Sequence, residues 1–165
     1  MVVIMTYLKD TGEISAVHHP AAGVESAEMR TGAVARFTAP GSATEGRFGL
    51  FEWNMAPRAG GPEPHFHKTF SESFYIIAGT VRLYDGSAWV EAAAGDFLYV
   101  PEGGVHAFRN DGDEDARMLI LFAPGAPRER YFRELAEYAA SGQHIGEDEI
   151  DAFLARHDQY RAGPA

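Results

Sequence analysis

The chain has 165 residues, 45% apolar and 23% charged, and no cysteine, which allows one domain with a real core and excludes a disulfide framework or thiolate chemistry. Acidic residues outnumber basic ones 24 to 14, a formal charge of −10. A surface of that sign repels phosphate backbones and anionic lipid, which argues against nucleic acid and membrane as partners.

The apolar opening "MVVIM" is too short for the core of a signal peptide or for a membrane span, so the expected location is the cytoplasm. Residues 1–30 carry little periodicity and read as an irregular N-terminal arm. His18 and His19 lie in it side by side and would face different ways on any regular element. From 31 to 123 the texture changes to short runs rich in β-branched and aromatic residues, each closed by Gly, Pro, Asn or Asp. In order they are "AVARFTA", "RFGLFEWNM", "SFYIIAG", "TVRLYDG", "AWVEAAAGD", "FLYVPEGG", "VHAFRNDGD" and "ARMLILFAPG". The Asp-Gly pair in "YDGS" predicts a tight hairpin. Many short strands at regular spacing indicate a sandwich or barrel.

After Pro127 the period becomes helical. "PRERYFRELAEYAASG" puts Phe132, Leu135 and Ala139 on one face, with Pro127 near the start and Gly142 just past the end. "GEDEIDAFLARH" has acidic residues in its first turn and Ile150, Phe153, Leu154 and His157 on one face. Residues 124–165 are thus expected to be a two-helix appendage. It is too small for a core of its own and must dock on the barrel or on a partner subunit.

The chemistry concentrates in "PHFHKTFSESFY", residues 64–75. In extended backbone His65 and His67 point to one side, because strand side chains alternate. Glu72 follows at the mouth of the next strand, and His106 arrives downstream, past a Pro-x-Gly turn. On spacing alone two readings stand: polar loop residues with no joint role, or ligands converging on one ion. Three imidazoles and a carboxylate would leave an octahedral divalent ion about two open positions.

Both segments resemble the two motifs of the cupin superfamily. "HFHKTFSESFYIIAG" reads His-x-His, four residues, Glu, six residues, Gly. "GDFLYVPEGGVHAFRN" supplies Gly95, Pro101, Gly103, His106 and Asn110 at the second motif's spacing. One glycine of the first motif is displaced: Ala59 takes its place, with Gly60 and Gly61 following. The resemblance covers about residues 45–123. It implies a jelly-roll β-barrel with His65, His67, Glu72 and His106 binding one divalent transition metal ion (Fe, Mn, Ni, Co, Cu or Zn).

Asn110 and Asp111 read as turn formers. Among the cations nearest in sequence to the site (Arg58, Lys68, Arg82 and Arg109), Lys68 points away by parity and reads as a solvated loop charge. His157, near a helix end, reads as a dipole partner or core-edge residue. Parity nominates Phe74, Ile76 and Phe108 as pocket walls. On the run from Phe48 to Met55 both faces are apolar, so Phe51 and Trp53 join that set if theirs is the inner face. Such a pocket suits an apolar or aromatic small molecule.

Within the superfamily the layout is similar to quercetinase-like dioxygenases, which implies a metal-dependent oxidoreductase for enolic or phenolic compounds, with Glu72 as ligand and catalytic base. A non-catalytic binding cupin and a cupin isomerase or decarboxylase are the alternatives. A homodimer is expected, joined through the arm before Arg30 or the strand around Trp53.

Overall fold

The computed structural model describes residues 7–163, so the "MVVIM" opening lies outside the described residues. The protein is mainly β. In chain order it has β1 (Ser26–Glu28), β2 (Ala33–Ala39), β3 (Gly49–Met55), β4 (His65–Phe66), β5 (Ser71–Ala78) and β6 (Thr80–Tyr84). Then come β7 (Trp89–Ala93), β8 (Phe97–Val100), β9 (Ala107–Arg109) and β10 (Ala116–Ala123), the helices α1 (Arg128–Ser141) and α2 (Glu147–Arg156), and β11 (Tyr160–Arg161). Each β-like run in the sequence contains one of the strands β2, β3 and β5 to β10, and the helical periods end within a residue or two of α1 and α2. Ser26–Glu28 corrects the expectation of a wholly irregular arm: it pairs antiparallel with β2.

The strands form an antiparallel jelly roll. A six-stranded sheet ordered β1-β2-β3-β10-β5-β8 faces a three-stranded sheet ordered β7-β6-β9. Their inner faces meet through aromatic rings: Phe108 of β9 lies 5.6 Å from Trp53 of β3 and 5.6 Å from Phe74 of β5, centroid to centroid. Alternation decides what enters this interface. Phe74 and Ile76 are buried, while Tyr75 between them is exposed. On β3 the inner face is that of Phe51, Trp53 and Met55, all buried, and Phe48 turns outward. The Trp53 ring thus lies inside the sandwich, and the outer side of this strand is that of Leu50, Glu52 and Asn54. Tyr75, Phe97 and Tyr99 are among the exposed aromatics, with Tyr7 and Phe48.

The turns follow their chemistry. Gly86 adopts φ +94° in the hairpin between β6 and β7, while the Asp85 carboxylate accepts hydrogen bonds from the Ser87 and Ala88 amides, each at 2.8 Å. Buried Asn110 donates to the carbonyls of Ala56 (2.9 Å) and Glu114 (2.8 Å) and accepts from the Gly112 amide (3.0 Å), the structural role its turn position predicts. A Cβ at Gly61 would fall 1.7 Å from the Phe108 carbonyl oxygen, so only glycine lets the strand leading to β4 lie against β9.

Helix α1 is anchored by Phe132, whose ring centroid lies 5.1 Å from Trp53 and 5.2 Å from Phe51. Burying such a ring contributes about 2–3 kcal/mol. Gly142, at φ +66°, ends the helix in the left-handed region. Helix α2 docks on α1 through Phe153, 5.7 Å from Tyr131 and 5.3 Å from Tyr138. Among the described residues no helix is long and apolar enough to cross a membrane.

Candidate metal centre

Strand pairing brings the four predicted donors together. His65 and His106 face each other across an antiparallel bridge, each backbone amide bonding the other's carbonyl at 3.0 and 2.9 Å. His67 is drawn to the same end of the sheet by its carbonyl, which accepts from the Gly103 amide at 2.7 Å. Glu72 stands on β5 between its partners Val100 and Phe122. One ligating atom from each of the four residues lies within 4.8 Å of every other, and all four side chains are buried.

Each imidazole is oriented from behind. Nδ1 of His65 lies 2.9 Å from the Glu63 carbonyl, that of His67 2.6 Å from the Asp158 carbonyl, and that of His106 3.0 Å from the Gly104 carbonyl. A carbonyl only accepts, so Nδ1 carries a hydrogen in all three; with an ion bound, Nε2 of each neutral ring would turn a lone pair to the centre, and without one Nε2–H of His67 and of His106 can donate to Glu72. There the Glu72 Oε2 sits 2.9 Å from Nε2 of both His67 and His106. Converging lone pairs around a carboxylate repel unless a cation or proton lies among them. Separations near 2.9 Å also match the edge that ligand bonds of about 2.1 Å at right angles would impose. The donor set therefore fits a divalent ion.

Without an ion, protons on the imidazoles take its place beside the carboxylate. Burial alone would raise the Glu72 carboxyl, but the charge of His106 and hydrogen bonds from His106 and His67 outweigh it and hold the group well below the usual carboxylate range. Burial likewise disfavours charge on His106, and Glu72 overrides it and raises that imidazole. His65 is pushed down to about 3 by burial and then by repulsion from His106, which leaves it neutral at physiological pH.

The centre opens onto a cavity of about 370 Å³. Of the four donors, only His65 and Glu72 reach its wall. Trp53 and Phe108 line it, and Ile120, Phe122 and Phe132 extend the apolar surface. Phe51, Phe74 and Ile76 do not. Phe51 is enclosed by Phe37, Phe122 and Phe132, and Phe74 packs behind the His106 and Phe108 rings. The correction is physical: parity selects the inner face of a strand, whereas the cavity occupies only the end of the sandwich beneath the helices.

Two functional residues escape sequence reasoning. Asp158, at φ +53° just after α2, takes the Nδ1 hydrogen of His67 on its carbonyl. Its carboxylate accepts from the Lys68 amide (3.1 Å), the Thr69 amide (2.8 Å) and the Thr69 hydroxyl (2.6 Å). Arg128, in the first turn of α1, is buried on the cavity wall beside Gln159, so the pocket is not uniformly apolar. The four cations nearest in sequence to the motifs bind elsewhere: Arg58 pairs with Asp113, Lys68 lies over the Tyr160 ring, Arg82 approaches Glu91, and Arg109 stacks on Trp89. His157 bonds Glu134 at 3.0 Å and closes the end of α2, a core-edge position as expected. No spacing rule ties residues 128 or 158 to the motifs; a polar arginine at the buried start of a helix was the one available hint.

Residues 51–122 match the sequence profile of the cupin domain. Quercetin 2,3-dioxygenase of Bacillus subtilis is 28% identical over 102 residues, covering 62% of this chain and 29% of that protein. Polyketide synthase CurC of Streptomyces cyaneus is 33% identical over 87 residues, 52% of this chain and 54% of that protein. The chain thus spans about half or less of these relatives' own lengths. Among solved structures, the polyketide cyclase RemF of Streptomyces resistomycificus superposes with a TM-score of 0.56 at 21% identity, covering 67% of this chain and 80% of that one. That likeness is one of fold.

Proposed function

We propose, from the match of residues 51–122 to the cupin domain, that the protein is a metal-dependent, dioxygenase-like oxidoreductase for an enolic or phenolic small molecule. The carrying observation is that Glu72 and His65, alone of the four donors, face an aromatic-walled cavity. The similarity to a quercetin dioxygenase supports the choice of substrate class, since quercetin is an enolisable polyphenol. His65, His67, Glu72 and His106 would hold the ion, which when bound supplies Lewis acidity toward a substrate oxygen and a place for dioxygen.

The protein's own groups do the rest. Trp53, Phe108 and Phe132 exclude water and clamp a flat ring. Glu72, the donor carboxylate on the cavity wall, is placed to take the acidic proton of an enol or phenol at the inner end of the cavity. Helices α1 and α2 roof the site, with Phe132, Leu135, Ile150 and Leu154 supplying its apolar lining.

Metal analysis of the purified protein followed by oxygen uptake with flavonols tests this reading. The expected result is about one ion per chain and substrate-dependent oxygen consumption. Protein without bound metal that also consumes no oxygen, after reloading with each of iron, manganese, nickel, cobalt and copper, would refute it.

The proposal extends to a homodimer. Tyr75 pairs with Phe97 and Ser73 with Tyr99 across β5 and the edge strand β8, leaving three exposed aromatics on one outer face. Such an edge calls for cover. Light scattering is expected to give twice the chain mass at micromolar concentration, and a monomer would remove this part.

A further inference from the structure

Arg128 is a buried cation whose hydrogen bonds go only to neutral acceptors. Its Nη1 donates to the His157 carbonyl at 3.0 Å and its Nη2 to the Gln159 side-chain oxygen at 3.0 Å. Its Nε–H has no acceptor among the protein's own atoms. The guanidinium lies 3.9 Å from the centroid of the Tyr131 ring, with Phe70, Phe122 and Phe132 around it. Among the described residues no carboxylate forms an ion pair with it. Burial lowers its pKa, yet a guanidinium keeps its charge at neutral pH.

A charge so placed is costly unless something compensates it. Cation–π contact with Tyr131 offsets part of that cost. The other carboxylates on the cavity wall, Glu63 and Glu147, are exposed at the rim, and Glu147 bonds Arg161 at 2.8 Å. A second donor on the same wall is also unused: the buried Nε1–H of Trp53 has no acceptor. A divalent ion with one carboxylate and neutral imidazoles would add further positive charge at the cavity's inner end. Glu72, the wall carboxylate whose charge reaches Arg128, would then be engaged by the ion, and two idle N–H donors beside a guanidinium, enclosed by aromatic rings, define a complementary ligand.

We propose that the cavity takes an aromatic or apolar carboxylic acid, its carboxylate paired with Arg128 and reached by the Trp53 indole N–H, and its apolar frame packed against Phe108 and Phe132. Nε–H is the guanidinium nitrogen left without an acceptor, and a carboxylate would take it in a charge-assisted bond. This names the substrate class for the oxygenase reading and rests on it for the chemistry, but the recognition itself is an equilibrium property and needs no turnover.

The test compares naphthoate with naphthamide, equal in shape and different in charge, by calorimetry on the metal-loaded protein. The acid is expected to bind at least about tenfold more tightly than the amide. In Arg128→Met the acid should lose about tenfold or more while the amide stays within about twofold. Arg128 also holds the His157 carbonyl, so a readout in the unaltered protein stands beside the variant. The Arg128 Nε–H resonance, identified as the one missing from Arg128→Lys, should move on addition of naphthoate and stay in place with naphthamide. Equal binding of acid and amide overturns the proposal. So does an acid that binds without moving that resonance, or an acid preference that survives in Arg128→Met, because either would put the carboxylate on the ion. Absent oxygen uptake would count against the oxygenase reading and leave these outcomes intact.

Discussion

Glutamine in place of Glu72 is expected to lower turnover of an enolisable substrate by about 10²-fold or more while substrate still binds. The substitution keeps the size of the side chain and one oxygen donor, and it removes the charge and most of the basicity. Glu72 is singled out because it belongs both to the donor cluster and to the cavity wall, its Oε2 2.9 Å from two imidazole Nε2 atoms. In an enzyme that uses this carboxylate as its base, loss falls on kcat, with metal content checked in parallel by elemental analysis. Undiminished oxygen uptake in metal-loaded Glu72→Gln would remove Glu72 from the catalytic role. In a non-catalytic cupin the same change would alter ligand affinity modestly, with no turnover to lose.

Ending the chain after Arg156 is expected to weaken metal binding by about 10- to 100-fold, the usual effect of removing the partners that orient metal-binding imidazoles. The segment removed does four things at once. The Asp158 carbonyl takes the His67 Nδ1 hydrogen, and its carboxylate collects the Lys68 and Thr69 amides. Strand β11 pairs with β4, placing Tyr160 opposite Phe66 and Arg161 opposite His65. The Tyr160 ring also stacks on Phe66, with centroids 5.4 Å apart. Without it, residues 65–69, which carry two of the four donors, lose their outer tether. Competition against a chromophoric chelator measures the affinity, and circular dichroism confirms that the strands persist. Full affinity in a folded, shortened chain would show that the motif strands alone position His67.

Residues 124–165 are therefore more than the appendage their helical period suggests. Phe132 fastens α1 to the aromatic interior beside Trp53 and Phe51, α1 and α2 roof the cavity, and the chain then returns to the barrel to brace His67 of the donor cluster. None of this is visible in the helix periodicity, which reports which face is buried and not what lies beneath it.

The donor set was legible in the amino-acid sequence because its geometry is local. Alternation puts His65 and His67 on one side, and antiparallel register carries Glu72 and His106 to the same end of the sandwich, so fixed spacings imply a shared centre. The strands were legible for the same reason, since a period of two and turn residues at Gly86 and Asn110 act over a few positions. The tertiary structure settled which face of β3 turns inward, because Phe48 and Leu50 begin the other face with apolar residues and only Glu52 and Asn54 mark it as polar, while Phe51 and Trp53 meet Phe132 and Phe108. Packing against α1 also determined that Trp53 lines the cavity while Phe51, two residues earlier, is sealed in the core. It alone placed Arg128 and Asp158 at the site, 22 and 52 residues beyond His106. A helix docks where its apolar face finds complementary rings, and that docking is a long-range packing outcome with no signature in local spacing.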